Sequence, residues 1–169
     1  MRLFHVSEES DIEVFHPRIP RRTDIDNSKG LVWAINEECL PNFLTPRECP
    51  RVTYYATEKT SEEDIERYFS YETSKHVVAI ERHWYETMNN TILYLYEFED
   101  TNFYLQDEIA GYYVSEVDQF PINKVKITDL FGELLKRNVE VKMVDDLLDL
   151  RDKIILTTLN WSMCKMGNV

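Results

Sequence analysis

Short apolar runs with a two-residue period recur along this chain and predict a protein built mainly from β-strands. In residues 91–98, Ile92, Tyr94, Tyr96 and Phe98 occupy every second position, so they share one face of the predicted strand. Further runs predict strands at 2–6, 31–35, 51–56, 76–81, 102–106, 110–117, 124–127 and 139–144.

Helical signals occupy fewer segments. Thr60 stands three residues before Glu63, a capping-box spacing that opens a predicted helix ending near Tyr71. Asn36 can cap a short helix over 36–43, and residues 128–137 predict another.

The end of the chain predicts the longest helix. Leu147, Ile154 and Trp161 recur at helical spacing, and Gly167 supplies a stop signal. We therefore expect one helix from about residue 145 to residue 166.

Together these elements predict an α+β fold: a mixed, largely antiparallel β-sheet, whole or split, flanked by a few helices and ending in the long C-terminal helix. With 169 residues and 43% hydrophobic content, the chain can bury a substantial core. No repeat or change in composition marks a linker, so we expect a single globular domain over residues 1–169.

Composition also bears on the compartment. The first residues lack a signal-peptide pattern, and no apolar run is long enough to cross a bilayer. The three cysteines, Cys39, Cys49 and Cys164, suit a reducing compartment better than a disulfide framework. We expect a cytoplasmic protein without a membrane partner.

Charge is distributed unevenly along the chain. The net charge is −12, and residues 60–120 carry 14 acidic and 3 basic side chains. An acidic protein repels phosphate backbones, so we do not expect nucleic acid as a partner. Arg18, Arg21 and Arg22 form a local basic stretch that fits either a solvated loop or an anion contact.

A few side chains are candidates for chemistry. His5 lies in an apolar strand and needs a hydrogen-bond partner in the protein or in a ligand. Glu116 becomes a candidate site carboxylate if its register buries it. Arg47 and Arg51 are flanked by prolines, and their guanidinium groups suit a phosphate, a carboxylate ligand or an internal acid. No cysteine or histidine pair has metal-ligand spacing, so we expect no metal.

Nearly the whole chain resembles a family of small uncharacterised bacterial proteins. That resemblance implies no particular activity. It rests on four segments: Leu3-Phe4-His5-Val6-Ser7-Glu8-Glu9, Val32-Trp33-Ala34, Pro46-Arg47-Glu48-Cys49-Pro50-Arg51 and Ser162-Met163-Cys164-Lys165-Met166.

His5 near the end of the first strand, Trp33 in the strand after Gly30, and Glu116 on a later strand also resemble the ADP-ribosyltransferase-like fold. In that fold a histidine, an aromatic residue and a glutamate lie on separate strands of a split sheet that clamps NAD. The resemblance implies that His5 hydrogen-bonds the ribose nearest the nicotinamide and that Trp33 packs beside the nicotinamide ring. Glu116 would hold the ribose hydroxyl and stabilise the oxocarbenium-like centre.

The same resemblance leaves several positions open. Arg47 or Arg51 would meet the pyrophosphate of NAD. Tyr54 or Tyr55 is an alternative stacking aromatic, and Glu108 is an alternative carboxylate.

Two functional hypotheses follow. The first is an NAD-utilising, ADP-ribosyltransferase-like enzyme, or a diverged relative that binds a nucleotide-like small molecule without turnover. The second is a non-enzymatic, acidic protein-binding module in which residues 60–120 meet a basic partner, since tyrosine is enriched at interfaces.

Overall fold

The computed structural model describes residues 1–21 and 23–169, so Arg22 of the basic stretch lies outside the described residues. Over these residues the chain forms ten β-strands and four α-helices. The strands are β1 (Leu3–Ser7), β2 (Val32–Asn36), β3 (Arg51–Tyr55), β4 (His76–Glu81), β5 (Leu93–Phe98), β6 (Tyr104–Asp107), β7 (Tyr112–Ser115), β8 (Asn123–Ile127), β9 (Val139–Val144) and β10 (Asn160–Cys164). The helices are α1 (Glu62–Tyr68), α2 (Tyr85–Asn90), α3 (Leu130–Lys136) and α4 (Leu147–Ile154).

The chain divides into two compact units, each with its own sheet. Unit 1 comprises Met1–Leu40 and Leu93–Ile127, and unit 2 comprises Pro41–Ile92 and Thr128–Val169. The α+β class is therefore confirmed, with the strands in two sheets.

Unit 1 contains an antiparallel sheet in the order β6-β7-β2-β1-β5-β8. One face of this sheet, which we call the Phe15 face, packs under the Phe15 ring. Its core side chains are Leu3, Val32, Ala34, Tyr96 and Phe98. Because side chains alternate along a strand, Phe4, Trp33, Ile35 and Val114 belong to the opposite face, which we call the Trp33 face.

Unit 2 contains a mixed sheet in the order β10-β3-β4-β9, in which β4 and β9 run parallel and the other pairs are antiparallel. Its core is formed by the sheet together with α1 and α4. The buried members are Val52, Tyr54, Tyr68, Val77, Ala79, Leu147, Ile154 and Leu159.

The predicted long C-terminal helix is wrong. Helix α4 ends at Ile154, and the chain then returns as β10, which pairs with β3 and is followed by a 3-10 turn, Met166–Asn168. The Thr157 hydroxyl donates to the Ile154 carbonyl and accepts from the Leu159 amide. Such local side-chain bonds compete with helical ones, so the helix stops there. Trp161, predicted on the helix, lies in β10.

Candidate functional site

The three principal candidates lie on neighbouring strands of unit 1. His5 is in β1, Trp33 is in β2 and Glu116 directly follows β7, and these strands are adjacent in the order β7-β2-β1. Ser115 at the end of β7 pairs with Val32 at the start of β2. Trp33 and Glu116 therefore lie at the same end of the sheet.

Trp33 and Glu116 also share a face. Trp33 and Tyr104 both pair with Val114, from opposite sides of β7, so both belong to the Trp33 face, and Glu116 contacts the Tyr104 hydroxyl. The Tyr112 ring packs edge-on against the Trp33 ring, with 5.2 Å between centroids and 86° between planes. Tyr104 pairs with Val114 on the other side of β7 and extends the aromatic surface. The Glu116 carboxylate thus contacts the Tyr104 hydroxyl, two residues along the chain from the pair formed by Trp33 and Val114.

Two donors hold the Glu116 carboxylate. Its Oε1 atom accepts from Lys29 Nζ at 2.9 Å and from the Tyr104 hydroxyl at 3.1 Å. The Lys29 hydrogen bond, followed by that of Tyr104, holds the pKa of Glu116 below its usual range. The same contact raises the pKa of Lys29. At neutral pH the site therefore combines an ionised carboxylate with an ammonium group, both still reached by solvent.

His5 has a different environment. Its ring lies on the Phe15 face, with 4.8 Å between the His5 and Phe15 centroids. His5 Nδ1 lies 3.0 Å from the Trp33 carbonyl oxygen. A carbonyl oxygen only accepts, so Nδ1 carries the proton. The structure places Trp33 and Glu116 at the same end of neighbouring strands and the ring of His5 on the face opposite to Trp33.

The two arginine candidates belong to unit 2. Arg51 is only 5% exposed, and its guanidinium donates to the carbonyls of Asn42 at 2.7 Å and Cys49 at 3.0 Å. It also lies over the Phe43 ring. Arg51 therefore stabilises the loop that leads into β3. Arg47, by contrast, is exposed in a turn of that loop.

The alternative aromatics also lie in unit 2. Tyr54 is fully buried, and its hydroxyl donates to the Tyr68 carbonyl at 2.9 Å. Burial strongly raises the pKa of Tyr54. Tyr55 is half-buried, and its ring lies 5.5 Å from that of His76. Tyr54 is thus a core residue of its unit, while Tyr55 retains some exposure.

The alternative carboxylate is separated from the aromatic surface. Glu108 is exposed in the turn between β6 and β7, at the end of β7 opposite to Glu116. Of the two acids, Glu116 is the one that contacts Tyr104.

Sequence reasoning missed three members of this site: Lys29, Tyr104 and Tyr112. The contacts of Lys29 with Glu116 and of Tyr112 with Trp33 join distant parts of the chain, and that of Tyr104 with Glu116 depends on the register of β6 and β7, which no local pattern encodes. The one available signal was that Lys29 stands directly before Gly30 at the entry to β2.

Within 1–21 and 23–169, no three His, Cys, Asp or Glu side chains are grouped to hold a metal ion. In this described part of the chain, no helix has the length and apolar character required to cross a bilayer.

Comparison with known proteins identifies one family model, which matches residues 4–169 and describes a family of unknown function, DUF6886. No curated protein and no solved structure matches significantly. The family match covers nearly the whole chain and carries no activity with it.

Proposed function

The chain belongs to a family of unknown function, DUF6886, and from this premise we propose that it is an NAD-utilising, ADP-ribosyltransferase-like enzyme with Glu116 as its catalytic carboxylate. One observation supports the proposal: the Glu116 carboxylate and the Trp33 ring share a face at one end of neighbouring strands. An aromatic ring beside a carboxylate suits a nucleoside, because the ring packs on a flat base and the carboxylate accepts from ribose hydroxyls.

The proposed reaction uses the charge of Glu116. The nicotinamide ring packs against Trp33, and the attached ribose lies at Glu116. The bond between ribose C1′ and the pyridinium nitrogen breaks, and its electron pair leaves with nicotinamide, which departs neutral. The carboxylate stabilises the positive charge that develops on the ribose. A nucleophile, water in the simplest case, then bonds to C1′ and releases a proton.

Lys29 has two roles in this proposal. Its ammonium keeps Glu116 ionised, and it adds positive charge where the dinucleotide carries a diphosphate. Contact between Arg47 or Arg51 and the pyrophosphate stays a prediction. For Arg51 such contact requires giving up its bonds to the Asn42 and Cys49 carbonyls.

His5 acts here as a positioning residue. Its Nδ1–H bond fixes the backbone of Trp33, from the face opposite to the Trp33 ring. The direct ribose contact of His5 that the resemblance to the ADP-ribosyltransferase-like fold implies stays a prediction.

The test is a thermal-shift titration of the purified chain with NAD, combined with an assay for released nicotinamide. A ligand that binds the folded state raises apparent stability, so NAD should raise the melting temperature of the wild type and of Glu116→Gln. Nicotinamide release should be lost in Glu116→Gln. Glu108→Gln is the matched control, because it removes an exposed carboxylate at the other end of β7. No binding up to millimolar NAD would overturn the proposal.

A non-enzymatic, acidic binding module is the second candidate. It is favoured by the exposed side chains of Glu62, Glu63 and Glu66 on α1. Capture of a lysine-rich peptide that weakens steeply with salt would support it. Capture that does not depend on salt, or its absence, would count against it.

A further inference from the structure

Tyr104 approaches the Glu116 carboxylate from the outermost strand of the unit 1 sheet. Strand β6 forms one edge of that sheet and pairs with β7, where Tyr104 is directly opposite Val114. Glu116 follows Val114 by two residues, and such diagonal neighbours across an antiparallel pair are roughly 7–8 Å apart, within reach of an aromatic side chain. The Tyr104 hydroxyl accordingly donates to Glu116 Oε1 at 3.1 Å.

The two oxygens of the Glu116 carboxylate have different surroundings. Oε1 accepts both from Lys29 Nζ at 2.9 Å and from the Tyr104 hydroxyl. An ionised carboxylate offers about four lone pairs, shared equally between its oxygens, so these two donors occupy Oε1. In the part of the chain that the structure describes, both hydrogen bonds to this carboxylate end on Oε1. Oε2 therefore keeps its lone pairs for a ligand.

The two donors differ in how firmly they hold Oε1. Lysine carries its ammonium on a flexible stem, so Lys29 can follow the carboxylate as it turns. A tyrosine has fewer rotatable bonds, and the backbone of β6 therefore fixes the position of the Tyr104 hydroxyl more closely. The terminal torsion of a glutamate is broad and roughly two-fold. Without Tyr104, the carboxylate of Glu116 can consequently exchange its two oxygens.

We propose that Tyr104 is a positioning residue for Glu116, which fixes Oε1 and so presents Oε2 to the ribose of NAD. This inference rests on the proposed function. In the bound state Oε2 accepts from a ribose hydroxyl, and it balances the positive charge that develops at C1′ as the bond to nicotinamide breaks. Tyr104 acts through Glu116 and does not contact the reacting bond.

The exposure of Tyr104 separates this role from a role in folding. Tyr104 is 46% exposed, and every residue of β6 is exposed. Polar contacts between exposed side chains contribute little to the free energy of unfolding. Tyr104→Phe removes the hydroxyl and keeps the ring, so it should leave the melting temperature unchanged.

The first test follows the Glu116 carboxyl by NMR titration, which requires no NAD. After Lys29, Tyr104 is the second donor that holds the pKa of Glu116 below its usual 4.5. In Tyr104→Phe this pKa should rise toward the usual value. Tyr113→Phe is the matched control, because Tyr113 lies in β7 and packs on the opposite, Phe15 face. The pKa of Glu116 should be the same in Tyr113→Phe and in the wild type.

The second test is steady-state nicotinamide release by the same variants. Tyr104→Phe should lower kcat about tenfold and change KM by less than about twofold, because the interaction that it weakens is made in the transition state. The acidic limb of the kcat/KM profile should move to higher pH, together with the pKa of Glu116. Tyr113→Phe should match the wild type in kcat, KM and pH profile.

The two tests separate failure of this inference from failure of the proposed function. An unchanged pKa of Glu116 in Tyr104→Phe would overturn the inference, whatever the chain does with NAD. A raised pKa with an unchanged kcat would also overturn it and would leave the proposed function standing. A wild type that releases no nicotinamide would overturn the proposed function and the catalytic role of Tyr104 together, even if the pKa of Glu116 responds to Tyr104→Phe.

Discussion

The Nδ1 atom of His5 donates across 3.0 Å to the carbonyl oxygen of Trp33, although the two side chains lie on opposite faces of their sheet. The β1–β2 ladder joins Leu3 with Asn36 and Phe4 with Ile35. Next to these two pairs, the His5 imidazole donates to the Trp33 carbonyl, which would otherwise need a backbone amide as its donor. A polar side chain in an apolar strand is thereby satisfied inside the protein.

His5→Ala should therefore lower the free energy of unfolding by about 1–2 kcal/mol, through loss of this bond and of packing on Phe15. Denaturant unfolding measures the change. His5→Asn keeps a donor and should recover part of it. In both variants NAD affinity should fall less than tenfold. A complete loss of NAD binding in a variant of native stability would instead indicate that His5 contacts the ligand.

Glu116→Gln should separate binding from chemistry. The amide keeps the shape of the carboxylate but cannot balance positive charge on the ribose, so we expect kcat to fall by about 10²–10³. KM should change by a small factor, because ground-state packing on Trp33 remains. Steady-state assays of nicotinamide release provide both values. Unchanged turnover in Glu116→Gln would exclude Glu116 as the catalytic carboxylate.

Lys29 should set the acidic limit of activity. Its hydrogen bond holds the pKa of Glu116 below the usual 4.5, so the carboxylate remains ionised as the pH falls toward that value. Lys29→Met removes this contact, and the pKa of Glu116 should return upward. The acidic limb of the kcat/KM profile should consequently move to higher pH. An acidic limb at the same pH in Lys29→Met and the wild type would mean that a group other than Glu116 controls it.

Local patterning accounts for most of the strands. The predicted strands 76–81 and 139–144 coincide with β4 and β9, because a short continuous apolar run in the first and an alternating pattern in the second each carry their own signal. Helix α2 was missed, since its six residues, Tyr85–Asn90, are too few to show a helical period. The C-terminal helix was predicted from apolar spacing alone. The hydrogen bonds of Thr157 and the pairing of β10 with β3 decided that segment instead.

The candidate site was predictable only in part. Glu116 and Trp33 were recognised from their resemblance to a known arrangement, whereas their common face follows from the pairing of Trp33 with Val114. A shift of one residue in that pairing would move Trp33 away from Glu116. Register of this kind is set by long-range packing, and so the contact of Lys29 with Glu116, which is distant in the chain, also escapes local reasoning.

His76 makes the stability of the protein depend on pH. Its Nε2 atom donates to the Asn42 side-chain oxygen at 2.7 Å, and burial lowers the pKa of His76 from 6.5 to about 4. The folded state therefore keeps this imidazole neutral at a pH where the unfolded chain takes up a proton. Stability should be unaffected above about pH 6.5 and should fall as the pH drops from there toward 4.

This change in the pKa of His76 corresponds to at most about 3 kcal/mol in the free energy of unfolding. Solvent reduces that value, because the ring is partly exposed. Urea unfolding of the wild type at pH 7.5 and pH 4.5 measures the loss. His76→Gln keeps a donor for Asn42 but does not titrate, so its stability should change less between these two pH values. His83→Gln, which alters an exposed histidine, should follow the wild type. An equal pH dependence in His76→Gln and the wild type would show that other groups, such as the carboxylates, govern the acid stability.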